Sequence, residues 1–81
     1  MTRTEKLDKD MAKVQYALEQ LEDLNRELLI FALKQNVKKS NAGAYSCTEK
    51  HIDETKRWFR FMDREIREDL NLKENENEFW K

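Results

Sequence analysis

The stretch Leu7-Asp8-Lys9-Asp10-Met11-Ala12-Lys13-Val14-Gln15-Tyr16-Ala17-Leu18-Glu19-Gln20-Leu21-Glu22-Asp23-Leu24-Asn25-Arg26-Glu27-Leu28 decides the fold. Leu7, Met11, Val14, Leu18, Leu21, Asn25, Leu28, Ala32 and Gln35 follow one another in steps of four and three. That is the seam of a coiled coil, sustained over four heptads. A second stripe overlaps it: Ala17, Leu21, Leu24, Leu28 and Phe31. Ile30, Leu33 and Val37 fall on a further side, so the helix is apolar nearly all round near Leu28. Such a helix has to be covered from more than one direction. One partner helix from the same chain would leave part of it wet. Leu7, Met11, Val14, Leu18, Leu21, Leu24, Asn25, Leu28 and Phe31 are therefore the expected oligomer interface. Asn25 within the seam either fixes register and oligomer state or lies solvated at its edge.

Working outward, Thr4 is a suitable N-cap, and Glu5, Asp8 and Asp10 suit the positive end of the helix dipole. Lys34, Lys38 and Lys39 suit its negative end. The pattern predicts a long helix over about 5–38. Ser40 to Ser46 contains the single Gly of the chain. Asn41 or Gly43 would supply a left-handed residue to end the helix. Ser46 with Glu49 fits a capping box, with Thr48 as an alternative cap, and a second helix is predicted over about 48–70. A short loop between two helices predicts an antiparallel hairpin. Tyr45 would pack at the hairpin end or be exposed for contact.

The second helix divides into faces. Ile52, Thr55, Trp58, Phe59, Met62, Ile66 and Leu70 share a sector expected to be its core side. Arg57, Arg60, Arg64 and Arg67 form a neighbouring stripe, with Phe61 farthest from the core sector. Planar guanidinium forks suit carboxylate and phosphate alike, and aromatic residues and Arg are enriched at interface hot spots. Arg57, Arg60, Phe61, Arg64 and Arg67 are the candidate partner-binding residues. The bland alternative is a solvated face laced by Asp53–Arg57, Asp63–Arg67 and Arg64–Glu68 pairs four residues apart.

The last stretch, Asn71 to Glu78, is polar and reads as a solvated tail, yet it ends Phe79-Trp80-Lys81. On the predicted helix lengths, Leu70 would lie near Tyr16 and the tail would run beside Leu7, Met11 and Val14. Leu72, Phe79 and Trp80 are its candidate anchors; the other option is an acidic-aromatic docking motif. The expected organisation is a helical hairpin over 1–70 and a tail over 71–81.

Composition narrows the function classes. The chain has 81 residues, 41% charged, with 16 Lys+Arg against 17 Asp+Glu, one Gly and no Pro. So little turn chemistry disfavours a sandwich or barrel. A chain this short usually needs association, disulfides or a metal to be stable. One cysteine cannot build a disulfide framework. Cys47 and His51 are only two Cys or His ligands where structural zinc needs four, so no metal site is expected. There is no phosphate loop and no recognisable catalytic constellation, so an enzyme is not expected, nor a cofactor. No apolar run has membrane-spanning length and none resembles a signal peptide, which leads to the expectation of a cytoplasmic protein. Nucleic-acid or nucleotide binding through the Arg stripe, helped by Lys38, Lys39 and Lys50, is the second reading. Glu49 to Asp69 holds seven acids and six bases, which disfavours it, because phosphate binding relies on net positive charge. The sequence therefore predicts an all-α antiparallel two-helix hairpin that self-associates into a helical bundle, with a dimer the simplest closed form. The expected role is a small regulator, inhibitor or adaptor that presents a helical face to another protein. A purely structural coiled-coil module is the third reading.

Overall fold

The Thr2 hydroxyl accepts a 3.1 Å hydrogen bond from the Glu5 backbone N–H and opens helix α1, Arg3–Lys34. The cap is Thr2 rather than Thr4, because Thr2 has the extended backbone a cap requires. The computed structural model describes residues 1–37 and 42–81. Helix α2 is Ala42–Asp69, and a short 3-10 turn, Glu78–Trp80, closes the chain. The two helices lie side by side as a hairpin, so the fold is all-α.

Both helices end by the same device. Asn36 and Asn71 take left-handed backbone angles, φ 53° and 55°. Val37 N–H reaches back to the Ala32 carbonyl at 3.1 Å, and Leu72 N–H reaches the Arg67 carbonyl at 2.7 Å. These are Schellman caps with Asn in place of Gly. Asn36 thus ends α1 four residues before the predicted boundary. Gly43 is not a helix stop but lies inside α2 with φ negative. Asn41, Lys38 and Lys39 lie outside the described residues. Ser46 and Thr48 are not caps either. Helix α2 has already begun, and the Thr48 hydroxyl donates back to the Ala44 carbonyl at 2.9 Å.

The earlier start of α2 makes the helices nearly equal, 32 and 28 residues. Arg67 therefore meets Asp8, and Leu70 does not reach Tyr16. Asn25 is half-buried and donates to the Tyr45 carbonyl at 3.3 Å, near the other end of the hairpin. These two polar contacts lie near opposite ends of the hairpin and mark its register.

Helix α1 turns one line of its seam inward. Met11 and Leu18 form a core with Ile52 of α2 and with Trp80, flanked by Leu7, Val14, Phe59 and Phe79. Ala32 is buried farther along. The tail is not a solvated strand. At Asn71 the chain reverses and returns along the hairpin. Asn77 donates to Gln15 at 2.7 Å, and Trp80 is 3% exposed. Two Asn side chains shape this return: Asn75 accepts from Asn77 N–H at 2.9 Å, and Asn77 accepts from Phe79 N–H at 3.0 Å. Phe79 stacks edge-on against Trp80 at 4.7 Å and lies under the Lys56 ammonium at 4.3 Å. The tail thus wedges a third element into one groove of the hairpin.

Candidate interaction surfaces

The Arg stripe splits in two. Arg67 points inward and is 3% exposed. Its Nε donates to Asp63 at 2.9 Å, its Nη2 to Asp8 at 2.6 Å, and its Nη1 to the Lys73 carbonyl at 3.0 Å. Asp63 is buried as well and takes a further bond from Asn75 at 3.3 Å. One guanidinium fork therefore ties α1, α2 and the tail together. Burial, the strongest influence on Arg67, pulls its pKa down. The hydrogen bonds to Asp8 and then Asp63 outweigh that, and the net direction is upward. Arg67 is thus a structural clasp and is withdrawn from the candidate partner-binding set. Of the three expected four-apart pairs, only Asp63–Arg67 forms.

Arg57, Arg60 and Arg64 remain on the outer edge of α2. Among the described residues none of the three has an ion-pair partner, although Asp53 and Glu68 stand four positions away. Together with Glu54, Trp58 and Phe61 they line a shallow hollow of about 480 Å³. Trp58 is 70% exposed and meets Phe61 edge-to-face at 6.3 Å. Trp58 and Met62 were expected on the core side and are instead exposed. The inward line of α2 passes through Ile52, Phe59 and Asp63, with Arg67 on its tail side and Ile66 on the other, so Trp58 and Met62 are turned outward. Arg60 and Arg64 also border a second cleft, between α2 and the tail, with Leu72, Asn75, Trp80 and Lys81. Trp80 Nε1 is, among the described residues, a buried side-chain donor without a hydrogen-bond partner.

The expected oligomer interface also divides. Leu7, Met11, Val14, Leu18 and the half-buried Asn25 are used inside the hairpin. They are corrected from an intermolecular to an intramolecular role, because α2 and Trp80 already cover them. Leu21, Leu24, Leu28 and Phe31 are uncovered, Leu28 to 68%. The second stripe was visible in the sequence; which stripe the chain covers itself was not.

Cys47 and His51 are exposed, and His51 Nδ1 stands 3.6 Å from Glu54. Among the described residues, no three His, Cys, Asp or Glu side chains converge as a metal-binding group. No helix of the described residues is long and apolar enough to cross a membrane. No protein-family model, curated protein or solved structure matches the chain.

Proposed function

We propose that this chain is a small non-enzymatic protein-binding module, an adaptor or regulator that presents the outer edge of α2 to an acidic surface of another protein. The observation that supports this is the set of three guanidinium groups, Arg57, Arg60 and Arg64, without ion-pair partners among the described residues, beside exposed Trp58 and Phe61. Arg and Trp at the centre of an interface carry most of its binding energy when desolvated. Carboxylates on the partner would complete the guanidinium forks, and an apolar side chain would fill the hollow over Trp58 and Phe61. A cytoplasmic location belongs to the same proposal and rests on Cys47, a free exposed thiol of the kind reducing compartments preserve.

The second reading is nucleic-acid or nucleotide binding by the same arginines, since phosphate also suits their donors. The chain's net charge of -1 and Glu54 within the hollow weigh against it. Capture from an extract of the native host, with and without nuclease, separates the two. The proposal expects a protein retained by the wild-type chain after nuclease treatment and lost with the Arg60→Glu, Arg64→Glu double variant. Retention of the same proteins by that variant overturns it. Salt-sensitive binding to nucleic acid, lost in the same variant, selects the second reading.

A further inference from the structure

The two broad sides of the hairpin are unequally finished. The tail occupies one. Its contacts fall on Gln15 of α1 and on Lys56 and Arg67 of α2, all to the same side of the inward lines of the two helices. On α1, Ala17, Leu21, Leu24, Leu28 and Phe31 lie about 100° round the helix from the Met11–Leu18 line, in the opposite sense from Gln15. On α2, Thr55, Met62 and Ile66 lie on the corresponding side. These residues lie on one side of the hairpin, opposite the tail. Leu24, Leu28, Phe31 and Met62 on it are each more than half exposed. The α1 line from Ala17 to Phe31 bears no ionisable side chain and keeps the four-three spacing that interlocks with another helix.

We propose that this face is covered by a second copy of the chain, giving a twofold four-helix bundle. The area identifies the occupant. The chain exposes 6669 Å², whereas a compact monomer of 9.9 kDa exposes about 5200 Å². The excess of roughly 1500 Å² exceeds the ~800 Å² that each partner of a stable complex hides. The molecule measures 53 × 20 × 14 Å, so its thin dimension is a single layer of helices. Domains are built from two packed layers, and a twofold pairing of identical faces supplies the second with no further chain. The Ala17–Phe31 line, without charge and with regular apolar spacing, offers nothing by which to select a foreign partner over itself. The Arg57–Arg60–Arg64 edge is a different surface and stays open in this bundle, so the dimer does not rest on the proposed partner binding.

The experiment is light scattering with circular dichroism on the full chain from about 1 to 100 μM. The expected result is a mass twice 9.9 kDa. Leu24→Glu and Leu28→Glu should lower it to 9.9 kDa, with helix retained. Should a glutamate variant unfold, Leu28→Ala serves instead, and its dissociation constant should rise at least tenfold, because two truncated side chains meet one interface. Leu33→Glu, exposed but off this face, should leave the dimer intact. A single-copy mass for the wild type up to 100 μM overturns the proposal. So do a mass of three or more copies, or a dimer unaffected by Leu28→Ala.

Discussion

Replacing Trp80 by alanine removes the one side chain of the tail that sits in the core with Met11, Leu18 and Ile52. A buried Trp truncated to Ala costs about 3–5 kcal/mol, counting lost transfer energy and the cavity left behind. A chain of 81 residues has about 4–12 kcal/mol of stability in total. The variant should therefore lose a quarter or more of it. With a urea dependence of about 1 kcal/mol per molar, the unfolding midpoint should fall by about 3–5 M or vanish below zero denaturant. The assay is urea unfolding followed by helical circular dichroism, at one protein concentration for both proteins. Trp80→Phe is the companion. It gives up ring area, but it also removes the unpartnered Nε1, whose burial costs about 1–3 kcal/mol. The two effects oppose, so this variant should stay within about 1 kcal/mol of wild type. A midpoint shift under 1 M for Trp80→Ala would refute the reasoning, and would mean that the tail is not part of the core.

The Arg67 clasp predicts an order. Asp63→Ala, which removes the buried carboxylate partner of Arg67 and leaves its Nε unpaired, should cost about 3 kcal/mol. Asp8→Ala should cost about 1 kcal/mol or less, because the Asp8 side chain is half exposed; a reversed order by urea unfolding would contradict the geometry. Asn71→Val places a branched residue in the left-handed region and should cost about 1–2 kcal/mol in the same measurement, and no loss would mean another cap ends α2. The hydrogen bond from the Lys6 ammonium holds the Asp10 carboxyl below 3.8, so its small contribution is present above pH 3.8 and fades as pH falls through the lower folded value. A carbon-detected titration should find that midpoint lowered, and Lys6→Gln should raise it; an Asp10 midpoint at or above 3.8 would show that the pair does not persist in solution.

The hairpin was legible because heptad spacing survives any choice of boundary. Its boundaries were not, for local reasons. Asn36 and Asn71 are ordinary polar letters until their backbone turns left-handed. Ser46 and Thr48 look like caps, yet within a helix Thr48 bonds back to the preceding turn. The polarity of Asn71 to Glu78 concealed its order, because Asn75 and Asn77 spend their side chains on the tail's own backbone. The Asp63–Arg67 spacing announced an ion pair but not its burial, where Arg67 also meets Asp8, 59 positions away in sequence. With Asp63 and Arg67 turned inward, Trp58 and Met62 face outward. Phe61, Arg57, Arg60 and Arg64 were placed at the surface by the same periodicity that failed for Trp58. One stripe too many on α1 was also readable from spacing. Only the path of the tail decided which side it left open.

The covering of the open face is tested most directly by a distance between copies. Cys47 is the single cysteine, exposed on α2, so a nitroxide there places one spin per chain without any substitution. Pulsed dipolar spectroscopy on the fully labelled protein should give a modulated signal from one dominant spin–spin distance. That signal should disappear on Leu28→Glu and on dilution with excess unlabelled chain. An unmodulated decay at 100 μM, indistinguishable from that of the Leu28→Glu variant, would contradict the second copy and leave Leu21, Leu24, Leu28 and Phe31 as an uncovered surface.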